Sequence, residues 1–249
     1  NELPTLELSY NTALEFLNCA ANDLASLDLS ALSKLTHLTC SDNNLSHLDL
    51  SQNIALTYLS CQSNVPLISI DLSQNVQLDT LKLVELWELK TLDLSNNTSL
   101  KYLLCAYNPI ETLDLSQKIE LINLITAFTY VKGLDLSNNV KLEELNCKAC
   151  PLGELDLSNN PELTFLHCSY NGISNLDLAS NPLLRSLDCA NNQLSALDIS
   201  NKQELSEISL KEMPTLEEVC VWTMPFPPEG VTVDTTGSPN VYFTTECSK

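Results

Sequence analysis

Apolar and polar positions alternate in short bursts, and the bursts recur along almost the whole chain. The tetrapeptide Leu-Asp-Leu-Ser, or a close variant, starts at Leu27, Leu48, Ile70, Leu92, Leu113, Leu134, Leu155, Leu176 and Leu197, with successive copies 21 or 22 residues apart. Leu6-Glu7-Leu8-Ser9 lies 21 residues before Leu27 and is a weaker tenth copy. A fixed period in this range predicts a solenoid, in which no unit buries its apolar face alone and successive coils share one core.

One full unit runs Leu14-Glu-Phe-Leu17-Asn-Cys19-Ala-Ala-Asn22-Asp-Leu24-Ala-Ser-Leu27-Asp-Leu29-Ser30. Leu17 and Cys19 alternate with Asn18, the period of a strand with one buried face. Leu27-Asp28-Leu29 alternates in the same way and is too short for an ordinary helix. The pattern predicts two short extended segments per coil, one on each side, joined by tight turns. Strands in neighbouring coils lie about 4.8 Å apart, so ten or eleven coils make a rod or shallow arc of roughly 50 Å. Asn22, Asn43, Asn64, Asn108, Asn171 and Asn192 share one inward position. An amide there both donates and accepts, which suits backbone groups where the chain turns inward, so these asparagines are assigned a structural role.

The register of Leu, Cys, Asn and Leu-Asp-Leu-Ser from about Leu3 to Glu218 resembles the cysteine-containing leucine-rich repeats of bacterial surface proteins of the internalin J type. It also resembles the repeat modules of secreted Bacteroidetes-type proteins. The tail from Trp222 to Cys247 is similar to the end cap of such modules. The resemblance implies a right-handed solenoid, mainly parallel β on the concave side with short extended segments on the convex side and little helix. It also implies a non-enzymatic, secreted or cell-surface recognition role such as adhesion, and it transfers no individual binding residue. The domains read as a solenoid over 1–219, with its first repeat incomplete, and a capping segment over 220–249. The chain begins inside a repeat, so a cut from a longer protein is expected, with residues before Leu3 frayed.

The formal charge is −20, with 12 basic residues among 249. That opposes binding to nucleic acid, which needs Lys and Arg on phosphates, and to anionic membrane surfaces. No apolar run reaches the length of a membrane span. A monomer without cofactor is expected.

Of the ten cysteines, Cys19, Cys40, Cys61, Cys105, Cys147, Cys168 and Cys189 share one inward position. Their Cβ vectors point the same way from parallel strands, which is poor disulfide geometry, so a ladder of buried thiols is expected. Cys147 and Cys150 form a C-x-x-C, with Cys150 at the Asn-ladder position; without a second pair no metal is expected. Cys220 falls outward by register and Cys247 ends the tail, so a Cys220–Cys247 bridge is expected to pin the cap and to favour an oxidising compartment. Val231 to Val233 and Val241 to Phe243, flanking Gly237-Ser-Pro-Asn240, predict a hairpin-like pair closing the last coil.

Glu7, Asp28, Asp49, Asp71, Asp93, Asp114, Asp135, Asp156, Asp177 and Asp198 share an outward position. Such a column is a solvated face that discourages sticking between molecules; one carboxylate per coil is sparse for calcium. The best catalytic column is Asn146, His167, Asp188 and Ser209. A triad needs His between Ser and Asp, and here Asp intervenes, leaving Ser209 roughly 10 Å from His167. With five glycines and no phosphate loop, no enzyme is expected.

Two units lose both Cys and Asn: Leu83 and Thr126 take the Cys position, Leu86 and Thr129 the Asn position. Around these breaks, positions due to face solvent turn apolar. Val84, Tyr102, Leu104, Ala106, Ile125 and Ala127 fall on the concave face. Tyr107, Phe128 and Tyr170 fall on one rim near Trp87, and Phe165 and His167 lie further along. Drift within the family, or local burial, would explain these residues without function. A contiguous exposed apolar patch would instead mark an interface. The candidate ligand-binding set is therefore Val84, Trp87, Tyr102, Leu104, Tyr107, Ile125, Phe128, Phe165 and Tyr170. The first reading is a protein-binding module, the second a carbohydrate-binding adhesin module, and the third a structural spacer.

Overall fold

The structure, a computed structural model, describes residues 2–247; of the residues expected to fray, Asn1 lies outside them. Every described strand is three residues long, and none of the described residues is helical. The chain divides into two compact units, residues up to 121 with 128–130, and residues 122–127 with 131 onward. Both are parallel β-solenoid.

In the first unit β1 (Phe16–Asn18), β2 (His37–Thr39), β3 (Tyr58–Ser60), β4 (Thr80–Lys82) and β5 (Tyr102–Leu104) pair in sequence order. The register runs Phe16, His37, Tyr58, Thr80, Tyr102 with no slip. The central leucines Leu38, Leu59, Leu81 and Leu103 point inward and are fully buried, each contributing about 2 kcal/mol of transfer free energy. The second unit holds β6 (Asn123–Ile125), β7 (Glu144–Asn146), β8 (Phe165–His167) and β9 (Ser186–Asp188), followed by β10 (Ala196–Asp198), β11 (Glu207–Ser209) and β12 (Glu218–Cys220), and ends with β13 (Thr232–Asp234) and β14 (Tyr242–Thr244). Here β6, β7, β8, β9, β11 and β13 form one parallel sheet, and β10, β12 and β14 form a second sheet on the opposite side of the coils. Elsewhere the Leu-Asp-Leu-Ser segments make no strand ladder. Their aspartates instead fold back on the chain: the Oδ1 of Asp28, Asp49, Asp71, Asp93, Asp114 and Asp156 each accepts the backbone N–H two residues on, at 2.9–3.0 Å. The acidic column is thus a series of Asx-turns. Hydrogen bonds from the following serine hold the carboxyls of Asp49, Asp71, Asp93, Asp114 and Asp156 below the ordinary aspartate range.

Each ladder asparagine closes its turn against the coil before it. Asn43 Nδ2 donates to the carbonyls of Cys19 (3.0 Å) and Cys40 (3.1 Å), and its Oδ1 accepts Leu24 N–H at 3.0 Å. In the second unit Asn171 and Asn192 repeat the donation, to Cys147 O and Cys168 O at 2.9 and 3.0 Å, and Asn192 Oδ1 also accepts Ile173 N–H at 3.0 Å. Cys150 substitutes its thiol, which donates to Thr126 O at 3.1 Å where the amide would. This gives one half of the C-x-x-C a structural task. Burial pushes the Cys19 thiol up to about 11 and the Cys189 thiol to about 12, so neither is thiolate at neutral pH.

A second asparagine ladder lies on the far side of the coils and has no counterpart in the sequence reading. Asn53, Asn75 and Asn97 in the first unit, and Asn139, Asn160 and Asn181 in the second, are buried. Asn75 Nδ2 donates to Leu50 O (3.2 Å) and Asn53 O (3.0 Å), and Asn97 Nδ2 to Leu72 O (3.1 Å) and Asn75 O (2.9 Å). Lys118 and Lys202 occupy the equivalent places, each wholly buried and with the same flanking turn bonds, Lys118 N–H to Leu115 O and Leu121 N–H to Lys118 O.

The tail is not a hairpin. β13 pairs with β11 and β14 with β12, on opposite sides of one further parallel coil. Ser238 plays the asparagine's part: its Oγ donates to Leu210 O at 2.6 Å and accepts Met213 N–H at 2.8 Å. Gly237, before it, takes the left-handed turn at φ +77°, a conformation glycine adopts without strain, and the Glu212 carboxyl lies where a Cβ would stand. Trp222, Phe226 and Phe243 pack ring on ring, with centroids 5.1 and 4.9 Å apart.

Register places Cys220 beside Asp198, on the outward position. The residue is nevertheless 3% exposed, because it is joined to Cys247, with the Cα atoms 5.5 Å apart, and that partner covers it. Peptide mapping of the unreduced protein is expected to recover Cys220 linked to Cys247, with the other eight cysteines alkylatable only after unfolding. Free thiols at both positions would overturn the pairing.

Candidate functional site

Each coil ends its strand by turning through a left-handed residue just before the ladder position. Ala21, Asp42, Ser63, Glu85, Tyr107 and Phe128 in the first unit, and Ala149, Tyr170, Asn191 and Glu212 in the second, have φ between 52° and 61°. A side chain in this conformation costs about 1 kcal/mol relative to the right-handed region. The turn aims the side chain outward along one rim, so the rim residues form a column with one member per coil.

In the first unit that column becomes aromatic. Tyr107 and Phe128 stack face to face, centroids 4.6 Å apart and planes 11° from parallel. Trp87 leans on Tyr107 at 6.3 Å and 58°. All three remain exposed, from 38% for Tyr107 to 54% for Trp87. The sheet face beside them is more broken than the sequence suggests. Tyr102 is exposed and Val84 and Leu104 half-buried, but register sets Tyr102 beside Thr80 and Leu104 beside Lys82. Ala106, and Ala127 in the second unit, are buried rather than displayed. They follow the Cys site, where short side chains are covered by their neighbours: Ser41, Ser169 and Ala190 are buried at the same place, while the longer Val84 and Lys148 stay half-buried.

In the second unit Ile125 is half-buried beside Asn146, Phe165 meets His167 edge-on at 6.3 Å, and the Lys148 ammonium sits 5.5 Å over the Tyr170 ring. His167 Nε2 lies 2.5 Å from Asp188 Oδ2. Burial raises the Asp188 carboxyl, but hydrogen bonds from His167 and Ala190 N–H outweigh it and hold the group below its usual range. Ser209 also hydrogen-bonds Asp188 and is two strands from His167, so the imidazole cannot take its proton.

A further aromatic column was not singled out from sequence. Phe16, His37 and Tyr58 stack along the first strand position at 4.4 and 5.8 Å, and the Lys82 ammonium covers Tyr58 at 5.4 Å. Thr36 Oγ donates to Glu15 O at 3.0 Å and lies 2.9 Å from His37 Nδ1. With the hydroxyl proton engaged, Nδ1 is the donor in this contact. The signal was available: an aromatic or His at the same strand position 21 residues apart.

Residues 161–207 match the family model for leucine-rich repeats in two copies. The functional domain of internalin J from Listeria monocytogenes, which includes a cysteine ladder, is similar over 98% of this chain, with 32% identity and a TM-score of 0.82. This is a leucine-rich repeat solenoid with a cysteine ladder. The chain spans 55% of the internalin J chain it matches. An internalin, InlF, from the same organism is 19% identical over 94% of this chain and 84% of its own, with a TM-score of 0.58. The leucine-rich repeat ectodomain of an Arabidopsis thaliana membrane receptor kinase is 21% identical over 97% of this chain and 32% of its own, with a TM-score of 0.75. These last two share the fold. No curated protein matches the chain in sequence. Among the described residues no helix is long and apolar enough to cross a membrane.

Proposed function

We propose that this leucine-rich repeat module is a non-catalytic, secreted or cell-surface adhesion module that binds a protein through the rim formed by Trp87, Tyr107 and Phe128. The observation that carries the reading is the solvent-exposed aromatic cluster, with Tyr107 and Phe128 stacked on left-handed turn positions and Trp87 leaning on Tyr107. Exposed rings gathered in one place are poorly explained by stability and suit an interface, where aromatic anchors dominate the energetics. Tyr107 and Phe128 each cover one face of the other, and Trp87 leans across Tyr107 at 58°. A sugar ring needs an open face, whereas the aliphatic and aromatic side chains of a protein pack against edges and the tilted indole alike. Tyr102, Leu104 and Val84 extend the surface onto the strands.

This chain, immobilised, is expected to capture a protein from detergent extracts of surface-labelled cells. A Tyr107→Ala/Phe128→Ala double variant should weaken the purified captured protein's affinity by about 30-fold or more, since each lost anchor costs on the order of 1–2 kcal/mol. A folded double variant that binds as tightly as the parent would overturn the assignment of the rim.

A further inference from the structure

The second unit carries a different kind of surface, with a ring next to a polar depression. Phe165 stands third in the first-position column, between Glu144 on β7 and Ser186 on β9. A serine is too short to cover a phenyl face, and the one ring contact of Phe165 is edge-on with His167. Ser186 also edges a shallow depression of about 280 Å³ between β9, β11 and β13, lined further by Asp188, Glu207, Ser209, Lys211, Thr232 and Asp234. These groups are held in place before any ligand arrives. Lys211 Nζ pairs with Asp234 Oδ2 at 2.7 Å, and Asp234 Oδ1 also accepts Thr236 N–H at 3.0 Å. Hydrogen bonding from Lys211 pulls the Asp234 carboxyl down to about 2. Asp188 is fixed by His167 at 2.5 Å and by Ala190 N–H at 3.1 Å.

We propose that this depression is a subsite for a neutral oligosaccharide, with Phe165 as its stacking platform. The chemistry selects the ligand. Both aspartates already hold a hydrogen-bonded partner, so neither stands as a bare charge inviting a cation. What they retain is spare acceptor capacity, beside the donors of Lys211 and the two-way hydroxyls of Ser209 and Thr232. Vicinal sugar hydroxyls offer donors and acceptors in that mixture, while the C–H face of the same ring covers an exposed phenyl. An acidic sugar would bring its carboxylate against Asp188, Asp234 and the neighbouring Glu207. A flat apolar protein surface would have to desolvate the charged pair for little return. The subsite is built from other residues than the rim proposed for protein and stands or falls independently of it.

The test is titration of the whole chain with cellotetraose, mannotetraose, chitotetraose and, as the acidic control, tetragalacturonate, followed by saturation-transfer NMR and calorimetry. At least one neutral tetramer is expected to bind, and tetragalacturonate more weakly than it. Phe165→Ala and Asp188→Asn should each weaken the neutral ligand by about tenfold, the worth of one stacked ring or one charge-assisted hydrogen bond. Phe165 is exposed, so its removal leaves the core intact, and matching thermal melts verify this for both variants. Trp87→Ala in the first unit should leave sugar binding unchanged. The proposal is overturned if no neutral tetramer binds, if both folded variants bind as the parent does, or if tetragalacturonate binds best.

Discussion

Leu103→Glu is expected to unfold the protein or bring it close to unfolding, while Leu104→Glu is expected to leave it folded. The two residues are adjacent on β5 and differ only in which way the pleat turns them. Leu103 is 0% exposed, packed in the shared core with Leu81 in register on β4. A carboxylate placed there has no partner, and burying an unpaired charge costs roughly 4 kcal/mol or more, on top of the lost leucine transfer energy. That is a large share of the 5–15 kcal/mol that holds a typical domain together. Leu104 is half-buried on the sheet surface beside Lys82. A glutamate there stays in water and faces a cation, so the change in stability should be within about 0.5 kcal/mol. Urea unfolding followed by circular dichroism separates the two, and similar losses in both variants would show that the strand register is wrong. Under the proposed function Leu104→Glu should also weaken protein binding, because it sets a charge beside the aromatic rim.

The fold was legible because a solenoid writes the same instruction many times. One Cys-x-x-Asn says little; seven cysteines and six asparagines at one phase identify an inward face, and the breaks at Leu83, Leu86, Thr126 and Thr129 then read as substitutions within it, all four being buried. The second asparagine ladder recurred just as regularly from Asn53 to Asn181, but it follows the Leu-Asp-Leu-Ser motif in a stretch where polar residues resemble an ordinary surface loop. Its burial depends on the preceding coil supplying carbonyls, which a single repeat does not show. The aspartates do face solvent; their Asx-turns are a second task, which outward direction alone does not reveal and the serine two residues on marks. The tail misled for a related reason. Gly237-Ser-Pro-Asn240 has hairpin composition, yet β13 and β14 begin ten residues apart, as β9 and β10 do, which is the distance across one coil. The patch around the breaks was only partly legible. Which apolar residues touch depends on rim geometry, and that geometry joins Tyr107 to Phe128 while tucking Ala106 and Ala127 inward.

Opposite effects are expected from two substitutions in the far-side ladder, Asn75→Leu destabilising and Lys118→Asn stabilising. The position asks for donors. Asn75 gives its two amide hydrogens to Leu50 O and Asn53 O, while its own Oδ1, like those of Asn53 and Asn97, has no hydrogen-bond partner. A leucine of similar size would remove one of the two hydrogen bonds that Leu50 O and Asn53 O each accept, the other coming from Asn53 N–H and Leu56 N–H, at about 1 kcal/mol each, partly offset by relief of the unsatisfied Oδ1, for a net loss of about 1 kcal/mol. Lysine is tolerated because an ammonium is a donor without an acceptor, but it brings a charge into the core. Desolvation lowers the Lys118 pKa, and Asp114 and Asp93 recover only part of it. Asparagine supplies neutral donors at the same place, so Lys118→Asn should add about 1 kcal/mol near neutral pH. The sign of the pH dependence distinguishes this cause from simple repacking. With the folded pKa below the unfolded one, the folded parent releases its proton first as pH rises, so the unfolded state binds more protons and the parent gains stability in that interval. The advantage of Lys118→Asn should therefore shrink as pH climbs through the folded value toward that of free lysine, near 10.4. Parallel urea titrations of parent and variant at neutral pH and near pH 10 measure it, and an advantage that stays constant would assign the effect to packing rather than to the buried charge.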